Sequence, residues 1–394
     1  MSENNEIKEP SNKNNKVPRL RFREFKNDWH KIAIKNIAVN ENHSFTGGPF
    51  GSNLKTNDYT SEGVRVIQLN NIYDVFFNDT NKVFVSEKKA ESLKYCNAFP
   101  GDLIFAKMMP AGRVCVLPNL YKKYLLGSDA IRLKLNALRY DSFFIIENLN
   151  RSIIRNNINS RTAGSTRQRI GLSELKKTSF YCPHLVEQKK IGFFFQEIER
   201  KIKIIERKID ILKKYKEGII KNLVNRSNKH VRFLNLISLY DKTRLPSSIG
   251  KESGKYKFFI NSSNEETKWS DDYIFDGEYI IMNTGGSAYT NYINGKFSAM
   301  SDCLIIKPQN RYSIALYYWL KAKERMIDKV GFQGTGLKHL DLNWLLRKNI
   351  SLIEYNNKKL IKLNASLDYL INLNSLMLAK LIRVKKGLLD TMFI

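Results

Sequence analysis

Cysteine is scarce in this sequence, at 4 of 394 residues, and histidine nearly so, at 5. The cysteines lie far apart and form no Cys-x-x-Cys pair, so neither a zinc ribbon nor a disulfide framework is indicated. The histidines show neither metal-ligand spacing nor a catalytic triad pattern. We therefore expect a reduced, cytosolic protein with no metal site. The cysteines are Cys96, Cys115, Cys182 and Cys303.

Long apolar runs are also missing, and acidic residues are few. No run approaches the roughly 18 residues of a transmembrane helix, and no signal-peptide pattern opens the chain. The 38 acidic residues face 66 basic ones, which gives a net charge of +28 and a pI near 9.8. This balance predicts a polyanionic partner. Nucleic acid is the first candidate, and a membrane surface is the rival.

Motifs that would make the chain an enzyme are absent or imperfect. Residues 331–336 contain a Phe-x-Gly-x-Gly string, as in adenine methyltransferases, but it follows a helical pattern rather than a strand. No two of the 9 prolines are adjacent, so the Asn-Pro-Pro-aromatic site that receives a flipped adenine is missing. Residues 250–255 are one residue short of a P-loop, and Tyr256 stands where Ser or Thr must hold magnesium. The sequence predicts a chain without catalysis or cofactor of its own.

Two long segments have the heptad pattern of coiled-coil helices. The first, Glu187 to Asn225, carries apolar residues at alternating steps of four and three between charged ones. The second, from Asn356 to the C-terminus, has a similar pattern, interrupted near Asn374. The first seam is Ile191, Phe195, Ile198, Ile202, Ile205, Ile209 and Leu212, and the second is Leu360, Leu363, Leu367, Leu370, Met377, Leu381, Val384 and Leu388. We expect an antiparallel, intramolecular helix pair that acts as a spacer.

The segments that precede the two helices repeat each other. Gly101–Phe105 corresponds to Gly277–Ile281, and the Ser-Asp pair at 128–129 corresponds to 301–302. The loop 164–167 corresponds to 334–337, so the matching positions are about 170 to 176 residues apart. A period of this length indicates a duplicated domain rather than a solenoid.

These observations predict an α+β fold with two similar mixed α/β domains and a pseudo-two-fold internal repeat. Residues 1–16 are too polar to pack and are expected to be disordered. We expect the first domain at 17–183, the first helix at 184–227, the second domain at 228–351 and the second helix at 352–394. Duplex DNA has local two-fold axes, so such a molecule can place one domain on each of two half-sites separated by an unread gap.

Polar residues on glycine-containing turns are the candidates for DNA contact. Arg and hydroxyl groups at a glycine loop suit phosphate, whereas Asn or Gln suits adenine and Arg or Lys suits guanine. The alternative is that each is an ordinary solvated loop residue. The candidates are Ser52, Asn53, Lys55, Gln68, Asn70, Lys107, Arg113, Thr166, Arg167 and Gln168 in the first repeat, and Asn261, Ser262, Asn283, Thr284, Ser287, Tyr289, Gln333, Thr335 and Lys338 in the second.

From residue 17 to 394 the order of elements resembles the specificity subunit of type I restriction-modification systems. The resemblance rests on Pro18–Phe22 with Trp29, on the Gly-Ser-Thr loop at 164–166, on Glu187–Ile191 and on the duplication. It implies two target-recognition domains that each read half of a split, asymmetric DNA site. It also implies that the helices set the gap and dock two methyltransferase subunits, which restriction (translocase) subunits then join. The second loop departs from the first, because it lacks the arginine found at 167.

The same resemblance implies a non-catalytic subunit, with S-adenosylmethionine, ATP and Mg²⁺ bound by the partner subunits. Apolar side chains beside or off the two seams are the candidate docking positions. Two alternatives from other classes stay open: a self-contained methyltransferase or nuclease, and a nucleoid-type protein that binds DNA by charge alone. The docking candidates are Phe193, Phe194, Leu373 and Leu376.

Overall fold

The computed structural model describes residues 17–164, 168–225, 229–262, 268–309, 312–352 and 358–394. The tail expected to be disordered, residues 1–16, lies outside the described residues. The chain forms two compact units. The first unit contains the residues up to Ile205 together with Met377–Ile394, and the second contains Glu206–Leu376.

The first unit contains two sheets and a short strand pair. Strand β1 pairs with β11, a four-stranded antiparallel sheet has the order β2-β10-β7-β8, and a five-stranded mixed sheet has the order β3-β5-β4-β9-β6. The strands are β1 His30–Ala33, β2 Phe45–Gly47, β3 Tyr59–Thr60, β4 Val64–Ile67, β5 Phe84–Val85, β6 Asn97–Ala98, β7 Leu103–Ala106, β8 Val114–Val116, β9 Tyr124–Leu126, β10 Ala130–Leu133 and β11 Ser179–Cys182. The helices are α1 Glu87–Ser92, α2 Ser142–Leu149, α3 Ser152–Asn159, α4 Leu172–Lys177 and α5 Leu185–Asn225, whose second half belongs to the second unit.

The second unit repeats this plan with a smaller second sheet. Strand β12 pairs with β22, the four-stranded sheet has the order β13-β19-β16-β17, and a three-stranded sheet has the order β15-β14-β18. The strands are β12 Lys229–Arg232, β13 Ile237–Lys242, β14 Tyr256–Phe259, β15 Lys268–Ser270, β16 Glu278–Asn283, β17 Thr290–Asn294, β18 Phe297–Ala299, β19 Cys303–Pro308, β20 Phe332–Gln333, β21 His339–Leu340 and β22 Asn349–Leu352. The helices are α6 Ser313–Val330, α7 Leu342–Arg347 and α8 Lys358–Met392, whose C-terminal part belongs to the first unit.

One central strand in each unit separates two hydrophobic cores. Alternate side chains of β7 point to opposite faces of the sheet. All four of its residues are buried, because a hydrophobic core covers each face. Leu103 and Phe105 enter the core that contains the helices, whereas Ile104 enters the core beneath the five-stranded sheet. Strand β16 divides in the same way, with Ile280 in the helix-side core and Ile281 in the other. The predicted internal repeat is therefore confirmed in its strand order. The predicted match of Gly101–Phe105 with Gly277–Ile281 is one residue out of register, because Leu103 lies on the same side of its sheet as Ile280 and not as Tyr279.

In the first unit, the N-terminal part of α5 packs against the C-terminal part of α8. The ring centroids of Phe195 in α5 and Phe393, just after α8, are 5.7 Å apart. One turn later in α5, Glu199 forms an ion pair with Lys385 of α8, which comes before Phe393 in the chain. The two segments therefore run antiparallel, as predicted. Every predicted seam position of α5 is buried or half-buried, from Ile191 to Leu212.

The seam predicted for α8 was partly wrong. The sequence analysis assigned four residues to it that are exposed by 38–53%: Leu363, Leu370, Met377 and Val384. The positions one residue further along are buried or half-buried instead, and two of these four are polar, Asn364 and Lys385. Asn374 is a further buried polar residue of α8. Asn374 satisfies its amide by donating to the Leu370 carbonyl at 2.6 Å. An apolar pattern could not identify a seam whose inward positions include these polar side chains. The side chain of Leu360 lies outside the described residues.

The start of α5 is anchored to the N-terminal segment of the same unit. Arg21 donates Nε and Nη2 to the two carboxylate oxygens of Glu187, at 2.7 and 2.8 Å. Trp29 donates Nε1 to the same carboxylate at 3.3 Å, and Glu187 is only 3% exposed. Paired and hydrogen-bonded in this way, the buried charge is compensated. Two segments that carried the resemblance, 18–22 with Trp29 and 187–191, are therefore in contact.

A buried charge on α2 leads to a prediction about pH. Glu147 is 1% exposed, and its Oε1 lies 2.8 Å from Lys385 Nζ. Burial raises the pKa of Glu147 from 4.5 to about 7. A raised folded-state pKa gives stability that is present below about pH 4.5 and lost as pH rises through about 7. The unfolding free energy of the wild type should therefore contain a loss of up to about 3 kcal/mol between pH 4.5 and pH 8. Glu147→Gln has no carboxyl group to ionise at this position, so we expect this loss to be missing from the variant.

Hydrogen exchange of the α2 amides at both pH values measures this difference. Lys385 keeps Glu199 as its partner in the variant, so no buried charge is left alone. Glu91→Gln, at an exposed position on α1, is the control and should show no such difference. Equal pH dependence in wild type and Glu147→Gln would contradict the assignment.

Candidate nucleic-acid interface

In the first unit, a turn and a hairpin loop are joined by backbone hydrogen bonds. The turn follows β7, and the loop precedes α4. Ile170 donates to the Lys107 carbonyl at 2.9 Å, and Met109 donates to the Gln168 carbonyl at 3.2 Å. Lys107 in turn donates to the Asp129 carbonyl at 2.8 Å. Two segments that are about 60 residues apart in the chain thereby form one surface feature.

The second unit makes the same three bonds at the equivalent places. Leu340 donates to the Thr284 carbonyl at 2.9 Å, and Gly286 donates to the Lys338 carbonyl at 2.9 Å. Thr284 donates to the Asp302 carbonyl at 3.0 Å. Lys107 thus corresponds to Thr284, and Gln168 to Lys338. The matching of turns and loops predicted from the sequence holds at the level of individual backbone bonds.

A glycine begins each hairpin loop in a conformation that other residues rarely adopt. Gly164 has φ +115° and Gly334 has φ +133°, values that favour glycine because it lacks a Cβ. The first loop is closed by the Ala163–Arg169 bridge and the second by the pairing of β20 with β21. Residues 333–339 are all exposed, so Gln333, Thr335 and Lys338 are presented to solvent. Thr166 and Arg167 lie outside the described residues.

Three of the candidates in the first unit line one open cavity of about 470 Å³. Gln68 and Asn70 come from the end of β4, and Arg113 comes from the start of β8. Leu69 and Tyr73 complete the lining. The Arg113 guanidinium lies over the Tyr73 ring, 5.9 Å from its centroid, which is cation–π geometry. The cavity therefore combines one cation, two amides and an aromatic face.

Ser52, Asn53 and Lys55 form a separate exposed group on the loop after β2. This loop leaves the sheet at Gly48, which donates to the Ala130 carbonyl at 2.9 Å. A Cβ at Gly48 would lie 1.7 Å from the Gly127 carbonyl oxygen, so only glycine fits there. The close approach fixes where the loop starts. The three candidates do not line the cavity that contains Arg113.

The candidates of the second unit differ in exposure. Asn283 and Thr284 are buried, at 3% and 7% exposed. Asn283 donates Nδ2 to the Ser262 carbonyl at 3.0 Å, and Thr284 donates Oγ1 to the Asp302 carbonyl at 2.9 Å. Their side chains therefore hold the turn, whereas Asn261, Ser287 and Tyr289 are half-buried around it. Ser262 is half-buried as well.

Arg113 and Tyr289 occupy the same backbone position in the two units. Ala106 donates to the Arg113 carbonyl at 2.8 Å, and Asn283 donates to the Tyr289 carbonyl at 3.0 Å. Lys321 Nζ lies over the Tyr289 ring, 4.1 Å from its centroid. Each unit thus places a cation against an aromatic ring beside this turn. In the first unit the strand position supplies the cation, and in the second it supplies the ring.

The docking candidates fall into two groups. Phe193, Leu373 and Leu376 are exposed, at 65%, 43% and 63%. Phe194 is half-buried instead and packs edge-on against Phe22, with ring centroids 6.1 Å apart. The structure thus gives Phe194 a packing role in the first unit. Because each residue of a helix is rotated by about 100° from the last, neighbours in sequence face different ways.

The sequence analysis missed other exposed apolar residues on the long helices. On α5 they include Val186, Ile204 and Ile211, at 71%, 53% and 64% exposed. Ile204 and Ile211 are seven residues apart, as are Val186 and Phe193, so their spacing in the sequence could have revealed them. On α8 they include Met377 and Val384, which the sequence analysis had assigned to the seam.

The structure gives no sign of metal or membrane chemistry in its described part. Among the described residues, no three His, Cys, Asp or Glu side chains are grouped so that they could hold a metal ion. The four cysteines are free and buried, and burial raises the pKa of the Cys115 thiol to about 12. In the same described part, each helix falls short of the length or the apolar character needed to cross a membrane.

Comparison with known proteins places both repeats in one family. The model described as "type I restriction modification DNA specificity domain" matches residues 26–214 and again residues 229–386. A putative type I specificity subunit of Mycoplasma pneumoniae is 39% identical over 66 residues. That match covers 16% of this chain and 18% of the relative's length. The domain boundaries predicted from the sequence stay a prediction.

Two solved structures share the fold. The type I restriction-modification S subunit from M. genitalium has a TM-score of 0.62 and 17% identity, covering 96% of this chain and 99% of that one. A chain from a structural study of complex assembly and conformational transition of the type I system has a TM-score of 0.52 and 14% identity, covering 93% and 97%. At this identity the likeness concerns the fold alone.

Proposed function

We infer the function from the premise that this chain belongs to the type I restriction modification DNA specificity family, whose model matches it twice. We propose that it reads a bipartite, asymmetric DNA site, with one half-site for each unit. The observation that carries the proposal is the duplicated turn and hairpin loop, joined by the same two backbone bonds in both units and held by a third bond from the turn to Asp129 or Asp302. A net charge of +28 supports a DNA partner.

The half-sites are expected to differ because the two units differ in their second sheet and beside the duplicated turn. The second sheet has five strands in the first unit and three in the second. In each unit one residue directly precedes the last strand of the four-stranded sheet, β8 or β17. This residue is Arg113 in the first unit and Tyr289 in the second. Different side chains on a common backbone suit different bases.

The proposal is tested by mapping methylated adenines across the genome. Cells that carry this gene with its partner methyltransferase are compared with cells that lack it. We expect methylation at one split sequence with a fixed gap. Methyl transfer or cleavage by the purified chain alone would favour a self-contained enzyme. Affinity that depends on salt and is equal for all sequences would favour a nucleoid-type protein.

We further propose that the chain supplies recognition while its partners supply chemistry. Methyltransferase subunits would bind S-adenosylmethionine, and restriction subunits would bind ATP and Mg²⁺. The exposed apolar residues of α5 and α8 support a docking role, because apolar side chains on a charged helix bury area when a partner helix covers them.

Charge placed on this surface should weaken the complex. We expect Phe193→Glu and Leu376→Glu each to reduce co-purification of the methyltransferase at least about tenfold, because each buries a carboxylate in an apolar contact. Leu138→Glu is the control, since Leu138 is 89% exposed and lies outside both long helices. If the complex stays intact in both helix variants, the docking assignment fails for those positions.

A further inference from the structure

Arg113 has no anionic partner among the described residues, in contrast to Arg155 and Arg169, which lie beside the same turn and loop. Three other arginines of the first unit are paired with aspartates: Arg65 with Asp79, Arg155 with Asp74 and Arg169 with Asp129. The Arg113 guanidinium instead lies over Tyr73. Its Nε is buried, so an acceptor from outside would meet the two Nη groups. A half-buried cation on an open cavity, with no carboxylate beside it, is placed to receive an acceptor from outside.

The wall that supports Arg113 is ordered by its own contacts. Tyr73 stacks on Phe76 with ring centroids 5.1 Å apart and planes 22° from parallel. The preceding turn is held by Asn71, which is fully buried. Its Oδ1 accepts from the Gln68 backbone at 2.8 Å, and its Nδ2 donates to the Asn78 carbonyl at 2.9 Å. The cavity is therefore preorganised, so little order would have to be gained on binding.

The groups in this cavity match the edge of a base rather than a lone phosphate. A guanidinium fork fits the O6 and N7 acceptors of guanine, and amides such as those of Gln68 and Asn70 fit adenine or a neighbouring base. We propose that Arg113 reads the guanine of a G·C pair in the half-site bound by the first unit. This inference rests on the proposed function and makes it specific to one residue and one base.

The second unit cannot make the same contact at the equivalent place. Tyr289 presents a phenol there, and its ring is covered by Lys321. A phenol has one hydroxyl and a lysine is a point charge, so neither offers the two parallel donors of a guanidinium. The requirement for this guanine should therefore belong to one half-site only.

The test is a methylated-adenine map from cells that express the complete complex with Arg113→Ala or Arg113→Lys. We expect both variants to lose the preference for guanine at one position of one half-site by about 10- to 100-fold, while the other half-site and the gap stay unchanged. Arg139→Ala is the control, because Arg139 is exposed in the same unit and outside the cavity. Gln68→Ala should alter preference at the same or an adjacent base pair.

Three results would overturn the proposal. The first is a wild-type site in which neither half contains a G·C pair. The second is uniform weakening at every methylated site with the sequence unchanged, which is the signature of a phosphate contact. The third is an unchanged sequence preference in Arg113→Lys, since lysine keeps the charge but not the fork. Failure of the proposed function itself is a different outcome, because the wild-type complex would then give no split site at all.

Discussion

Replacing residues 228–351 with the corresponding segment of a relative should change one half of the methylated sequence completely and leave the other half and the gap as they were. The segment contains the second turn, its hairpin loop and the three-stranded sheet. If each unit reads one half-site, these elements hold all the base contacts of that half. A new segment should therefore bring a new half-site with it.

The structure supports this exchange as a feasible experiment. The strands at the two ends of the segment pair with each other, since His230 lies opposite Ser351 and Arg232 opposite Asn349. Entry and exit are side by side, which is the arrangement in which domains tolerate transplantation. The first unit has the same closure, with His30 opposite Cys182. Both segments therefore have a pair of strands near their ends. Residues 17–183 also contact α5 through Glu187 and the C-terminal residues through Phe393, so that exchange keeps the residues that make these contacts.

The measurement is the map of methylated adenines for the chimaera and the parent. The reciprocal exchange of residues 17–183 is the matched control and should change the other half only. A change in both halves after a single exchange would contradict the assignment of one half-site to each unit. Retention of both original halves would contradict any role for the second unit in reading bases.

Sequence reasoning found the features that repeat or have a period. The repeat was visible because both units have a glycine at positive φ in the turn that precedes the central strand, Gly101 and Gly277, with φ +89° and +122°. The seam of α5 was visible because its inward residues are apolar. These signals are local, so a single sequence can show them.

Features that depend on distant contacts were not visible. The polar inward residues of α8 misled the seam assignment, because a lysine such as Lys385 looks solvent-exposed until its glutamate partners are known. The burial of Asn283 and Thr284 follows from bonds to residues 18 to 21 positions away. Likewise, the meeting of Gln68 with Arg113 in one cavity depends on the pairing of β4 with β9 and of β7 with β8.

Lengthening both long helices by one heptad should widen the gap between the half-sites and leave the half-sites themselves unchanged. We propose that the helices set the gap, because α5 and α8 each pass from one unit to the other, at Ile205 and at Leu376. Seven residues add about 10.5 Å of helix, which is the length of about three base pairs. Insertions after Ile205 and after Leu376 keep each seam in phase, since seven residues are two turns of a coiled coil.

Three further variants make the experiment decisive. Inserting a heptad into α5 alone shifts the seam of α5 along that of α8, so paired apolar positions lose their partners. We expect methylation to fall by at least about tenfold in this variant. Inserting four residues into both helices adds slightly more than one helical turn, so the two seams would no longer face each other. We expect this insertion to reduce methylation as well. Replacing one existing heptad of α5 by another of the same pattern should leave the gap unaltered. If the double heptad insertion gives an active complex with the original gap, something other than the helices sets that distance.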